Sequence, residues 1–281
     1  MTELIHTQER IKMKNLEDSL GNRMKSYENR YCQVAIPMIP VICRLDGRSF
    51  HKFTKGLKKP FDKRLSNLMI KTTKFLVEET NAKCGYTQSD EITLVWLSEN
   101  WKSEIFFDGK IQKMNSILAS MTTGFFNKFL SSVIPEKKNE IPLFDCRVFQ
   151  VPNINEAVNV FVWREQDAVR NSIQGATRAH YSHSECMNKN GSELQQMLWE
   201  KNVNWDDYPA FFKRGTYVRK RVIERKLKEE ELSNLPPKHE AIKNPDVVTR
   251  RSVVMEENFP KLTQIINRNE VICMGADPII G

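Results

Sequence analysis

The chain has 281 residues, 40% of them hydrophobic and 28% charged, a mixture that supports a sizeable core and rules out a largely disordered or collagen-like chain. No uncharged apolar run approaches the ~18 residues of a membrane span, and the charged start MTELIHTQERIKMKNLEDSL has no secretory apolar stretch, so a cytoplasmic protein without a membrane partner is expected. The 43 Lys and Arg against 35 Asp and Glu leave a net charge of +8, a weak pull toward polyanions.

In chain order, residues 8–30 read as a polar helix. The apolar run ending in Asp46-Gly47 (36–47) reads as a buried strand, irregular at its start because of Pro37 and Pro40. Asp62 suits a helix N-cap, and Leu65, Leu68, Met69, Thr72, Phe75, Leu76 and Glu79 follow at helical spacing. Residues 83–88 and 92–97 read as strands, and the short Ser89-Asp90-Glu91 link makes them a hairpin. Met114, Ile117, Leu118, Met121, Phe125 and Phe129 place an amphipathic helix over 111–130. A loop then leads to a strand over 143–151.

Helices are expected over 155–182, in one or two pieces, and over 191–201. An exposed linker is expected over 228–246 and a short strand near Val271-Ile272-Cys273. The order β-α-β-β-α-β followed by helices is the split βαβ pattern of ferredoxin-like and polymerase-palm domains, an α+β fold. We place the palm-like catalytic core at 1–152. Residues 153–281 are expected to complete that domain as a helical and C-terminal region.

The closest two of the six cysteines are 11 residues apart, so there is no CxxC motif. The cluster His180, His183 and Cys186 lacks a second ligand pair nearby and reads as polar surface or an RNA contact rather than a zinc site. Residues 213–228 hold eight Lys or Arg and one acid, and read as a solvated basic face or a phosphate contact.

Asp46 ends a buried strand, and Asp90 and Glu91 occupy the hairpin turn. In a split βαβ sheet the first strand lies beside the hairpin, which brings Asp46 and Asp90 together although 44 positions separate them. Two hard carboxylates there suit Mg²⁺, which takes one or two carboxylates plus substrate phosphates. Two such ions can clamp the attacking and leaving oxygens of a phosphoryl displacement. Gly47 permits close backbone approach, and the turn after it can aim N–H groups at a triphosphate. Arg48, Lys59 and Lys113 can add positive charge. Phe50 and Phe53 alternate with His51, which predicts buried phenylalanines and an outward His51.

These residues also carry a resemblance. Arg44-Leu-Asp46-Gly-Arg48-Ser-Phe50-His51-Lys-Phe53, Lys59-Pro60-x-Asp62 and Tyr86-Thr-Gln88-Ser89-Asp90-Glu91 resemble the N-terminal signatures of tRNA(His) guanylyltransferases. Asp145-x-Arg147, Trp163-Arg-Glu-Gln-Asp167-Ala-Val-Arg-Asn171-Ser and Phe212-Lys213-Arg214-Gly215-Thr216 are similar to its later blocks, in the same order, and the likeness spans about residues 24–221. The resemblance implies a nucleotidyltransferase that adds nucleotides to the 5′ end of tRNA in the 3′→5′ direction, using GTP and ATP. It implies two Mg²⁺ ions held by Asp46, Asp90 and the Gly47 carbonyl, with Asp46 and Asp90 catalytic. It also implies a triphosphate cradle from Asp46 through Gly47, Arg48, Ser49 and Phe50 to His51, with Ser89, and nucleotide contacts at Lys59, Asp62 and Lys113. A homotetramer is implied as well, with residues 153–281 supplying tRNA and oligomer contacts.

Eukaryotic members carry a His-Ile-Asn-Asn-Leu-Tyr block where this chain has Val169-Arg170-Asn171-Ser172-Ile173. That variant resembles the guanylyltransferase-like branch associated with template-directed repair of tRNA 5′ ends. An RNA surface is expected at Arg164, Arg170, Asn171, Lys213 and Arg214, extended by Arg219 and Lys220. The competing readings are another palm enzyme, such as a nucleotidyl cyclase, and a non-catalytic RNA-binding palm. The RNA surface argues against the first, and the intact Asp46–Asp90 pair against the second.

Overall fold

Apolar residues on alternate faces of a strand need cover on both sides, and the fold supplies it with helices. The computed structural model describes residues 19–98, 100, 101, 105–237, 239–244 and 248–281. Helix α1 (Leu20–Asn29) is capped by the Ser19 side chain, which accepts from Asn22 N, and buries none of its residues. The part of the expected first helix before residue 19 lies outside the described residues.

Strand β1 (Val41–Gly47) leads through a loop to helix α2 (Lys63–Thr80), which Asp62 caps by accepting from Arg64 N. Asn81, with φ 56°, ends it. Strands β2 (Cys84–Gln88) and β3 (Glu91–Trp96) follow, then α3 (Ile111–Val133), β4 (Phe144–Gln150) and α4 (Ile154–Arg178). β1 pairs antiparallel with β3 and β4, and β3 with β2, giving the order β4-β1-β3-β2 of a split βαβ sheet. The α+β expectation holds.

Successive strand residues point to opposite faces, so β1 feeds two cores. Val41, Cys43 and Leu45 pack with Leu68, Leu76, Leu118 and Phe126 beneath α2 and α3. Ile42 packs with Ala157, Val158 and Phe161 of α4 on the other face.

The second half of the chain departs from expectation. The basic run is strand β5 (Thr216–Lys226), and β6 (Val248–Glu257) pairs with it, so both extend the sheet to six strands beyond β2. The reason is a buried cation. Arg219 is fully buried, donates to Val271 O at 2.6 Å and Ala276 O at 2.7 Å, and pairs with Glu257. A charge paired this way, with only Nε left without a partner, defeats the rule that arginines mark the surface.

The expected linker contains helical turns at Glu229–Ser233 and Glu240–Lys243. Val271, Ile272 and Cys273 are consecutive buried residues of the helix Arg268–Met274 rather than a strand, since a short apolar run does not distinguish the two. The loop expected after residue 130 begins only after α3 ends at Val133, and includes a 3₁₀ turn at Pro135–Lys137. Among the described residues no helix is long and apolar enough to cross a membrane.

Candidate active site

The strand register aligns carboxylates. Asp46 of β1 lies directly opposite Glu91 of β3 on one side and Asp145 of β4 on the other. Directly paired residues share a face with Cβ atoms ~5 Å apart, and like charges so placed repel. Asp90 lies in the turn just before Glu91, close enough that Asp46 and Glu91 both act on its charge. The sequence-based expectation that β1 and the hairpin bring Asp46 and Asp90 together is met. Glu91 and Asp145 are additions that only the register reveals.

Backbone strain surrounds this cluster. Ser89 has φ 50° and Ser49 has φ 55°, a region sparsely used by residues other than glycine. They sit next to Asp90 and three residues after Asp46. The Ser89 hydroxyl donates to Asp90 Oδ1 at 3.0 Å. Gly47 is required sterically, because a Cβ there would lie 2.3 Å from Cδ2 of Phe50. Phe50 is buried against Phe53, Phe144 and Phe126, with ring centroids 4.9, 5.1 and 5.9 Å away. Phe50 and Phe53 are therefore core and His51 is exposed, as the alternation predicted. Only the backbone of Phe50 is available to a ligand. The Arg48 N–H is committed to Leu143 O at 2.8 Å and is lost to the expected cradle.

Asp90 is pushed up to about 6, first by burial and then by the charges of Asp46 and Glu91. Folding without a cation therefore takes up a proton between about pH 4, where a free aspartate titrates, and the value in the fold. Stability falls as pH rises through that window and stays lowered above it. Asp90→Asn is expected to raise the Tm of the cation-free protein at pH 8 and to leave it unchanged near pH 4. Thermal melts in EDTA check this; equal Tm values at pH 8 would contradict it.

Arg164 of α4 answers part of the charge. Its guanidinium donates to Glu91 Oε2 and, at 2.9 Å, to Asp167 Oδ2, which is why it is only 3% exposed. Burial still pushes Glu91 up, against the pull of Arg164. Arg170 donates to Asp167 Oδ1 at 2.8 Å. The expected RNA contact at Arg164 is thus corrected: this arginine lies under the hairpin and is spent on it. Arg219 is likewise buried and paired, and neither belongs to a surface track.

A cleft of about 380 Å³ opens beside the Ser89 turn, at the small end for ligand sites. Lys58, Lys59, Gln88, Ser89, Asn171 and Arg178 contribute polar groups. Phe61 forms an aromatic wall with Phe211 and Phe212, at centroid distances of 5.1 and 4.8 Å. Lys59, Ser89 and Asp62 are brought together here as expected nucleotide-site residues, and Asn171 joins them rather than an outer RNA face. Asp62 differs from expectation in one respect. Its Oδ1 accepts from Arg64 N and Nε and its Oδ2 from Arg64 Nη2 at 2.8 Å, so its carboxylate is saturated and held below the usual range by Arg64.

Lys113 does not reach the site within one chain. Phe144, opposite Gly47, donates to Thr123 Oγ1 of α3, and Lys113 lies ten residues earlier, ~15 Å along the helix. Its ammonium instead sits 4.4 Å from the centroid of the Phe107 ring. Lys213 packs over Trp205 and donates to Asp206 O, leaving little of it exposed. Arg214 is half-buried, and its carbonyl accepts from the Tyr86 hydroxyl at 2.7 Å.

Could the donor set hold a divalent cation? Among the described residues, no three carboxylate, histidine or cysteine side chains converge as a self-sufficient metal site. Asp46 and Asp90 supply hard oxygens in a cluster whose charge Arg164 and Arg147 answer only in part. That fits an ion that takes few protein ligands and completes its shell with phosphate and water, as Mg²⁺ does.

Residues 21–152 match the family model for tRNAHis guanylyltransferase (Thg1). An uncharacterised protein of Acanthamoeba polyphaga mimivirus, R259, is 30% identical over 233 residues, covering 74% of this chain and 79% of that one. The tRNA(His) guanylyltransferase of Kluyveromyces lactis is 25% identical over 202 residues, covering 65% and 83%. A bacterial tRNA(His) guanylyltransferase (Thg1)-like protein in complex with ATP overlays with TM-score 0.73 at 33% identity, covering 92% of this chain and 98% of that chain. The GTP complex of a bacterial protein of the same description overlays with TM-score 0.67 at 32% identity, covering 88% and 94%. A likeness of this depth, running through the carboxylate strands and on to β5, makes the chain a member of the tRNA(His) guanylyltransferase family and a nucleotidyltransferase.

Proposed function

We propose that this chain adds nucleotides to the 5′ end of tRNA in the 3′→5′ direction, in the manner of template-directed 5′-end repair. The observation that carries the reading is the carboxylate cluster at Asp46, Glu91 and Asp90, beside a cleft with an aromatic wall and free lysines. The incoming nucleotide's 3′-hydroxyl attacks the tRNA 5′-phosphorus, and AMP or pyrophosphate leaves from an adenylylated or triphosphorylated end. Mg²⁺ at Asp46, Asp90 and the Gly47 carbonyl, as two ions, would neutralise triphosphate charge and ease loss of the attacking proton. The chain's own part is placement. Asp46 and Asp90 would hold those cations beside the reacting phosphates, the Ser49–His51 turn offers backbone N–H groups, and Lys59 offers a point charge.

Residues 1–152 and 153–281 serve one catalytic unit in this reading, and the bacterial ATP and GTP complexes support both nucleotides as substrates. A homotetramer belongs to the same reading: α1 buries none of its residues, and Leu20, Tyr27 and Tyr31 are each more than half exposed. Mass photometry of the full chain tests it, and a monomer would remove it.

Two experiments test the rest. With 3′-labelled tRNA lacking its first nucleotide, ATP, GTP and Mg²⁺, the product should lengthen at the 5′ end. Cyclic nucleotide without lengthening would mark a cyclase, and binding without product an inactive palm. Lys59→Ala should raise the KM for nucleotide about tenfold and leave tRNA affinity unchanged, the loss expected for one charge-assisted contact. An unchanged KM would return Lys59 to the solvated surface.

A further inference from the structure

The face of the sheet that carries Asp46 is only partly covered. Helix α4 lies over Ile42 and β2–β3, and leaves the β1–β4 side open. On that open side the register stacks three rows: Asp46 with Asp145, Arg44 with Arg147, and Ile42 with Phe149. Two residues of strand separate each row, so Arg147 lies ~7 Å and Phe149 ~14 Å from the Asp46 row. Phe149 is 37% exposed on the edge strand β4, on which Cys146 and Val148 turn inward to the core. Trp163, on the α4 rim of the same face, is 46% exposed, with the Arg44 guanidinium carbon 5.9 Å from its ring centroid. The Arg147 side chain is more than half exposed and touches Asp145 at 3.5 Å.

This surface has a polarity. Its acids lie in the Asp46 row, where divalent cations would gather. Moving away from that row, the exposed groups are guanidinia and flat aromatic rings, not aliphatic side chains. Aromatic faces interleaved with arginine on an open sheet recognise unpaired nucleotides, because every base has a face to stack and every linkage a phosphate to neutralise. Aromatic and arginine anchors also suit a protein partner, but these rows run along the strands directly to the Asp46 row, and that continuity with the proposed transfer site favours the RNA.

We infer that the open β1–β4 face is a stacking platform for the 5′-terminal segment of the RNA acceptor. Phe149 and Trp163 stack bases and Arg44 and Arg147 meet phosphates, so that the 5′ end is delivered along the strands to Asp46. The inference rests on the proposed transfer at Asp46 and adds the path by which the RNA reaches it.

The test uses the full chain and a tRNA transcript lacking its first nucleotide, with 2-aminopurine at the new 5′ end. Wild-type protein should quench the 2-aminopurine on binding. Phe149→Ala and Trp163→Ala should each weaken tRNA binding about tenfold, as loss of one base–aromatic stack does, and should remove much of the quenching. ATP and GTP affinities should stay at wild-type values, and Trp163→Phe should recover most of the loss. Asp46→Ala should keep both tRNA affinity and quenching while losing transfer, which separates failure of the platform from failure of the catalytic reading. If Trp163→Ala melts early, Phe149→Ala, on a solvent-facing position, decides alone. Unchanged tRNA affinity and quenching in the Phe149 variant would overturn the inference. So would a change of particle mass in it, which would assign the face to contact between copies of the chain.

Discussion

Asp46→Ala and Asp90→Ala are each expected to reduce nucleotide addition by about a hundred- to a thousandfold, the range seen when one preorganised charge-stabilising group is removed. The same substitutions should not destabilise the fold. Asp46 stands between Glu91 and Asp145 and beside Asp90, and deleting one member of a like-charged row relieves repulsion. Activity and stability therefore separate: product formation collapses while the cation-free Tm holds or rises. Turnover in Mg²⁺ within tenfold of wild type, for either variant, would remove the carboxylates from the reaction.

Arg164→Met carries the second large effect, and here stability and activity fall together. The guanidinium is buried between Glu91 and Asp167. Removing it leaves Glu91 uncompensated beside Asp46, and breaking a buried pair this way costs about 3 kcal/mol or more. For a chain of this size that is a fall of several degrees in Tm. Activity should fall as well, because the hairpin turn that carries Asp90 loses its tie to α4. Adding Glu91→Gln to the Met variant should restore much of the lost stability, since the buried charge is then gone. A single variant melting within a degree of wild type would show that the pair contributes nothing net.

The first half of this fold is legible because its signals agree. The two amphipathic helices each show a helical period, β1 and the hairpin strands are short apolar runs bounded by turn residues, and Asp62 stands where a cap should. The proximity of Asp46 and Asp90 follows from strand adjacency alone. What escapes is whatever depends on register or on paired burial. Glu91 and Asp145 flank Asp46 only once the strands are aligned residue by residue.

Arg219 makes β5 look like a solvated basic run, because its partner Glu257 is 38 positions away. Arg164 offered a readable signal. It lies in phase with Ala157, Phe161 and Ala168 on the buried stripe of α4, with Asp167 three residues on to receive it. Lys113 is misassigned for a geometric reason: a residue at the start of α3 belongs to the end of the sheet away from Asp46, because α3 runs antiparallel to β4.

The claim at the centre of this account is that the β1 end and the β2–β3 turn hold the reacting phosphates through a divalent cation. Iron-directed cleavage tests it most directly. With Fe²⁺ in place of Mg²⁺, GTP bound, and ascorbate and peroxide added, hydroxyl radicals cut the backbone next to the ion. Cuts confined to the neighbourhoods of residues 46–49 and 89–91, suppressed by excess Mg²⁺ and lost in Asp46→Ala, are the predicted result. Specific cuts elsewhere, or the same cuts persisting in Asp46→Ala, would contradict it.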